Sequence, residues 1–378
     1  MSNALLTTDL IADRALQIFS EKASFLNTVN RQYDDTFAKR APKIGDTLRV
    51  AVPQHSNIIS GRVAQPTALQ TLVRNVVIQD QTQFSVTYNS SEMALDIEEF
   101  SRRYLDQQVA DLVVNIEASA QVLAYQATPN QTGTPDGQWT NLSYANMARK
   151  LIEDNGGFKG TKQMLINNAA EMSLINAQRT YFNPTPEIAK QYNEGFITRA
   201  SGFAWVSTTV APLHQRGTAN ASYTVNGATE SGSAITVQSG SGTFLVGDIV
   251  TFAGAYAVHP QTKQSLGYLR QFVVTANLGA AGDLSIYPAL TVSGSEQNVT
   301  GYPTDAGAVV ILGTASDTYG INLAYTPDAF TFVTVDLPDL PGLPCSRRKY
   351  ENVSMRVATG SDITNDSTLM RFDIMWGF

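Results

Sequence analysis

What this 378-residue chain has least of is cysteine: Cys345 stands alone, which excludes an intrachain disulfide framework and any zinc site needing several thiolates. Histidine is nearly as scarce. His55, His214 and His259 lie in three separate segments without metal-spaced partners, so each reads as a surface or loop residue and not as a ligand. Charge is thin at 16% of residues, and positive charge is the minority, 26 Lys+Arg against 33 Asp+Glu, which leaves −7. That is the wrong sign for a protein that holds nucleic acid by releasing counterions. No run of about 18 apolar residues occurs, and Met1 to Asp9 lacks a basic start followed by an apolar stretch. Neither a membrane span nor a cleaved export signal is expected, and a reducing cytoplasm is the expected place of folding.

Catalytic signatures are missing as well. There is no G-x-x-x-x-G-K-[ST], no G-x-S-x-G and no H-E-x-x-H. Gly240-Ser241-Gly242 lacks the lysine and following helix that a phosphate cradle needs. Asp362 to Asp366 lacks the central glycine and closing glutamate of a calcium loop, so it reads as a turn solvating its own polar side chains. Cys345 follows Pro341 and Pro344 with no lysine beside it to lower its pKa, and reads as a buried or incidental thiol. The expectation is a protein without catalysis, cofactor or metal.

What is present is a folded chain, 43% apolar with 27 Gly and 15 Pro, long enough for two or three domains. Residues 4–26 space Leu6, Leu10, Ala15, Ile18, Phe19 and Phe25 as a short amphipathic helix that must pack on something else. Alternation at Leu48, Val50, Val52 and at Phe84, Val86, Tyr88 predicts strands around a polar stretch, 54–67, and the whole of 46–90 reads as an extended hairpin arm. Leu105, Val109, Leu112, Ile116, Ala120 and Leu123 recur at three and four within 95–127. That is the strongest helical signal, a spine of roughly 50 Å at 1.5 Å per residue. Helices are predicted at 141–154 and Pro186 to Glu194, with a buried strand at Met164 to Asn167. Between Thr218 and Ala315 the only basic residues are Lys263 and Arg270, and short β-type runs alternate with Gly, Ser and Asn turns. This segment reads as an inserted antiparallel barrel or sandwich able to fold alone, with its two ends close together.

Within that insertion, Phe244-Leu245-Val246-Gly247-Asp248-Ile249-Val250-Thr251-Phe252-Ala253-Gly254, then Val258-His259-Pro260-Gln261-Thr262-Lys263-Gln264-Ser265 and Phe272 to Ala276, resembles the insertion domain of the major capsid (coat) proteins of short-tailed Salmonella-type bacteriophages. Ala200 to Val206 is similar to the family's approach to the insertion. Ala324 to Phe330 and Arg356 to Ile374 resemble the C-terminal part of tailed-phage capsid proteins. The resemblance implies an α+β chain with the tailed-bacteriophage/herpesvirus major capsid protein fold. Its expected parts are an N-terminal arm (1–45), an extended E-loop hairpin (46–90), a spine helix of the peripheral domain (91–130), an apical domain (131–217 and 316–352), the inserted β-barrel (218–315) and C-terminal return strands (353–378). It implies a structural role in an icosahedral shell around packaged double-stranded DNA. The implied partners are its own copies in hexamers and pentamers, a scaffolding protein, a portal protein, a decoration protein, and DNA only non-specifically. The implied location is the virion capsid, assembled in the host cytoplasm.

Gly247, Asp248, Phe252, Gly254, His259 and Lys263 carry the insertion motif, and Arg62, Ile58, Arg74 and Glu230 are the candidate assembly contacts. The family's insertion carries a long charged loop early in its barrel; here Gly227 to Ser233 is short and holds one charge, Glu230. Two other classes compete: a phage tail or adhesion protein, which a long helix at 95–127 disfavours, and a carbohydrate-active enzyme with a barrel as binding module, which the missing catalytic motifs disfavour.

Overall fold

A computed structural model describes residues 8–34, 47–52, 62, 72–78, 80–89, 99, 101–133, 139, 141–157, 160–178, 199–362 and 364–378. The chain divides into two compact units: Met1–Ala51, Val73–Ala120 and Pro327–Phe378 form the first, Val52–Leu72 and Gln121–Thr326 the second.

The first unit begins with helix α1 (Thr8–Lys22), whose Ile11, Ala12, Ala15, Leu16, Ile18 and Phe19 are buried along one face. Leu10, counted on that stripe from the sequence, is exposed instead. Strand β1 (Asn30–Asp34) follows, then β2 (Thr47–Val52) and β3 (Leu72–Val77), which pair in a two-stranded sheet, and β4 (Asp80–Asn89). A π-helical turn, Ser101–Leu105, leads into α2 (Asp106–Gln126). This is the expected spine in a shorter form: its 21 α-helical residues span about 32 Å. Residues 95–98 lie outside the described residues.

Leu105, Val109, Leu112 and Ile116 are buried as the stripe requires, but Leu123 is 38% exposed, which corrects its assignment to the spine core. Leu123 lies within about 20° of Ile116 on the helical wheel. In the last turns, however, the buried side is that of Ala120, Gln121 and Ala124. The covered face therefore rotates along the helix, a change that sequence periodicity does not register.

The second unit takes up α3 (Ser143–Asp154), β5 (Lys162–Asn167), α4 (Asn168–Gln178), β6 (Arg199–Ala200), β7 (Phe203–Thr208) and β8 (Leu213–Gln215). The helix at Ser143 and the strand through Met164 match the sequence reading; α4 was not foreseen, and the helix expected at 186–194 lies outside the described residues. Strands β9 (Thr224–Val225), β10 (Gly232–Gln238), β11 (Ile249–Val258), β12 (Ser265–Val274), β13 (Gly282–Leu290) and β14 (Val309–Ile311) follow, then β15 (Thr318–Gly320) and β16 (Leu323–Tyr325). A four-stranded sheet, β16-β5-β7-β6, carries a core of Met164, Ile166, Leu174, Phe203 and Trp205.

The six strands β14-β11-β12-β13-β10-β9 form one antiparallel sheet, and it closes on itself. Thr224 bridges Ala308, Val225 N donates to Gly307 O at 2.9 Å, and Val309 N donates to Tyr223 O at 2.9 Å, so β9 meets β14. Tyr223, Ile235, Phe244, Phe252, Phe272, Leu284 and Val309 fill the interior. The strand expected at 244–252 starts only at Ile249, because Gly247 (φ +97°) turns the chain before it.

The chain re-enters the first unit at Pro327, with β17 (Thr331–Val335), β18 (Cys345–Tyr350), β19 (Val353–Asp362) and β20 (Ser367–Gly377). These form the sheet β1-β17-β20-β19-β18, with β4 on β20. Two expected boundaries move. Residues 327–352, expected in the apical part, supply β17 and β18 to this sheet, and β4, expected in the hairpin arm, is a strand of the same sheet because its backbone pairs antiparallel with β20 from Asn89–Ser367 to Asp80–Trp376. Phe84 stacks on Phe372 at 4.5 Å between ring centroids. Helix α1 finds its cover here: Ser346 of β18 donates to Asp9, and Arg348 pairs with Asp9 at 2.7 Å. Asp362 accepts from Thr364 N at 2.9 Å and Asn365 Nδ2 at 2.7 Å, the self-solvating turn read from the sequence.

Candidate functional site

The barrel interrupts the second unit between two short strands that pair with each other. β8 and β15 run antiparallel in the register Gln215–Thr318, His214–Tyr319, Leu213–Gly320. Arg216 N donates to Asp317 O at 3.0 Å and Ile321 N to Pro212 O at 3.0 Å. Entry and exit are thus zipped into a stem.

At the top of this stem three donors meet one carboxylate in four contacts. Asp248 is buried, and its Oδ1 lies 3.0 Å from Nε2 of His214, itself 3% exposed. An ionised carboxylate can only accept, so the imidazole Nε2–H is the donor. Gly217 N donates to Oδ1 and Oδ2 at 3.2 Å each, and Leu245 N to Oδ2 at 2.8 Å. One side chain therefore binds the stem and the barrel's own Leu245–Asp248 turn together. Two glycines make the approach possible: a Cβ on Gly217 would stand 2.1 Å from Thr243 O, and one on Gly247 2.9 Å from Cε2 of Tyr125. The rings of Tyr125 and Tyr319 meet His214 edge-on at 5.6 and 5.4 Å.

His214 is thus not the surface or loop histidine that its sequence context suggested. Its partner is 34 residues away, beyond the reach of any local spacing rule. Among the described residues no hydroxyl or thiol hydrogen-bonds to His214, and no group of three or more His, Cys, Asp or Glu side chains is placed to hold a metal. The pair holds two parts of the chain together.

A second fastening is polar. Tyr268 of β12 donates to Asp154 Oδ2 at the end of α3 at 3.2 Å, Gln271 Oε1 accepts from Gln131 N at 2.7 Å, and Arg270 donates to Asn155 Oδ1. Burial and the neighbouring Asp154 carboxylate push the Tyr268 phenol up to about 12.

The remaining motif residues serve the barrel. Phe252 is fully buried 5.6 Å from Phe272, and Gly254 (φ +91°) lets Thr304 approach, since a Cβ there would lie 2.5 Å from its Oγ1. His259 and Lys263 form the β11–β12 turn, with Lys263 N donating to His259 O at 2.9 Å and the ammonium reaching the Ser295 and Gln297 carbonyls. Desolvation holds that ammonium below its usual range. Glu230 accepts from Thr236 N at 2.9 Å and so closes the short loop that carries it. Arg62 is exposed, Arg74 is exposed on β3, and Ile58 lies outside the described residues. No helix is long and apolar enough to cross a membrane among the described residues.

Residues 86–378 match the P22 coat protein family, gene protein 5. The chain belongs to that family. As a P22-family coat protein it is a phage major capsid protein, structural and not an enzyme. The major capsid protein of Acyrthosiphon pisum secondary endosymbiont phage 1 is 28% identical over 147 residues, 36% of this chain and 35% of that protein. The match spans about a third of the relative's length. Among solved structures, a chain of Mycobacterium phage Che8 is similar over 94% of this coat protein and 86% of its own length, at 10% identity and a TM-score of 0.45. The capsid of cyanophage P-SCSP1u covers 94% and 84% at 12% identity and 0.42.

Proposed function

We propose that this coat protein is the repeating subunit of an icosahedral shell, built from hexamers and pentamers, that encloses the double-stranded DNA of a short-tailed, Salmonella-type phage. The family match over residues 86–378 carries this reading. The chain order supports it: an N-terminal arm (1–45), a hairpin that ends before β4, a spine (91–130), an apical region (131–217 and 316–326), the barrel at 218–315, and return strands that begin at β17. Arms and loops suit a subunit that must meet its copies in slightly different environments. A net charge of −7 suits a wall that does not grip the packaged polymer. The partners that follow are a scaffolding protein, a portal protein and a decoration protein, with assembly in the host cytoplasm.

Co-expression with a scaffolding protein, followed by electron microscopy, tests the reading: closed particles are expected, and small oligomers under every such condition would overturn it. Ile58, Arg62 and Arg74 are the proposed contacts of the hairpin with a neighbouring copy. Deleting 56–64 is expected to leave a folded monomer with fewer or weaker particles, read by thermal melting of the monomer and particle yield.

A further inference from the structure

We infer that the His214–Asp248 contact is a latch that sets the angle of the barrel on its stem, and that breaking it lets the barrel swing as a rigid body about its two chain crossings. The inference concerns the single chain and holds whatever the chain assembles into. Only two covalent crossings join the barrel to the rest of the second unit. At the entry, Gly217 is bare of a side chain where Thr243 O and Asp248 crowd it. At the exit, Gly313 (φ +88°) and Ser316 (φ +66°) stand in left-handed backbone, where chain direction changes sharply over few residues. The exit is exposed from Thr314 to Asp317, which is the form a pivot takes, whereas the entry is buried at Arg216, Gly217 and Ala219.

The two fastenings differ in kind. Tyr268, Arg270 and Gln271 meet α3 and Gln131 through part-buried polar contacts. The stem contact is dry, and its carboxylate depends on donors from both sides of the pivot: His214 and Gly217 from the stem, Leu245 from the barrel. Without His214, Asp248 keeps Gly217 N, which sits on the pivot itself, and Leu245 N, which moves with the barrel. Neither remaining bond resists rotation. There is also room to rotate, because a cavity of about 930 Å³ lies between His214, Gly247 and Tyr319 on one side and Tyr144 and Leu151 of α3 on the other. His214 is on this account a positioning residue. It acts through Asp248 on the barrel as a whole.

Hydrogen exchange on the full chain, read at single amides, tests the latch. His214→Phe keeps a ring of similar size and removes the donor; His214→Gln keeps a donor. In H214F the stem amides of Arg216 and Ile321 are expected to exchange about tenfold faster or more, while Phe272 to Val274 in the barrel wall keep their protection, and H214Q is expected to restore the stem to within about threefold. Faster exchange through the barrel wall as well would make the contact part of the barrel's own fold and overturn the inference. So would unchanged stem amides in H214F. If H214F does not accumulate folded, the unmodified chain decides: Gly217 and Leu245 are expected to open together about tenfold more often than Phe272 to Val274, and equal protection would overturn the latch.

Discussion

The barrel of the second unit and the large sheet of the first are both mostly antiparallel, yet they gather their strands in opposite ways. Every barrel strand comes from one continuous stretch, Thr224 to Ile311, and half of the neighbour pairs, β9–β10, β11–β12 and β12–β13, are consecutive in the chain. The first unit's sheet instead joins β1 and β4 from the start of the chain to β17–β20 from its end, and Trp376 Nε1 donates to Thr82 Oγ1 across 294 residues. Local pairing closes small loops, whereas distant pairing must first meet the entropy of a long one. On that difference the barrel is expected to form while the first unit still waits for its last strand. It also separates the burdens: the barrel rests on apolar filling, and the distant sheet carries a buried charge cluster. Asp373, fully buried, accepts from Arg356 at 2.7 and 3.3 Å, from Arg371 at 2.9 Å and from Gln81 at 3.0 Å.

The largest test of this contrast is to cut the barrel out. Residues 218–315 alone are expected to give dispersed amide signals and one cooperative thermal transition, and a disordered fragment would show that the barrel leans on its stem to fold. Next in size is Asp373→Ala. It leaves the buried Arg356 guanidinium without its carboxylate, an uncompensated charge that costs about 3–5 kcal/mol. Denaturant unfolding with one probe in each unit should show the loss in the first unit and an unmoved barrel transition. Ile235→Val, at a fully buried barrel position, is expected to lower the barrel's stability by about 0.5–1.5 kcal/mol and leave the first unit untouched. A shared shift in either variant would mean that the two units unfold as one.

The smallest effect is a slope. Glu117 on α2 is buried and accepts from Ser24 N at 2.7 Å, Ser24 Oγ at 2.9 Å and Leu26 N at 3.1 Å. Burial outweighs these bonds and pushes its carboxyl above the ordinary 4.5. The folded state therefore holds the proton more tightly than the unfolded one. The stability this adds is full below about 4.5 and is lost as pH rises through the raised value. The first unit should lose stability over that window by no more than about 1.4 kcal/mol per pH unit, and Glu117→Gln should flatten the slope. Titrating the unfolding midpoint of both proteins from acid to neutral pH checks it.

The features legible in the sequence were those whose cause is local. The α2 stripe from Leu105 to Ile116 and the barrel's turn-punctuated strands announce themselves in spacing and composition. Helix α4 did not, because its apolar residues, Ala169, Ala170, Met172, Leu174, Ile175 and Ala177, do not gather on one face, and Met172 is 66% exposed. Leu123 had the right period and the wrong neighbours. The passage of the chain back to the first unit at Pro327 rests on strand pairing with β1 and β20, which no window of sequence contains. The stem pair is half visible: Gly247 and Asp248 stand in the insertion motif, but the histidine that gives Asp248 its task lies two strands and several turns earlier.

The meeting of β9 with β14 also decides how crowded copies of this chain treat one another. An open sheet edge offers unpaired amides and carbonyls to any passing strand, and a chain made in great numbers would find such strands everywhere. By closing, the barrel withdraws both its borders from that traffic. The first unit cannot close, and its border strand β18 instead carries Arg347, Arg348 and Lys349 in a row, two of them tied to Asp339 and Asp9 and the third resting on the Tyr33 ring. A foreign strand laid against that row would have to displace or bury three cations, so unwanted fibre growth is discouraged at one border by charge and at the other by geometry.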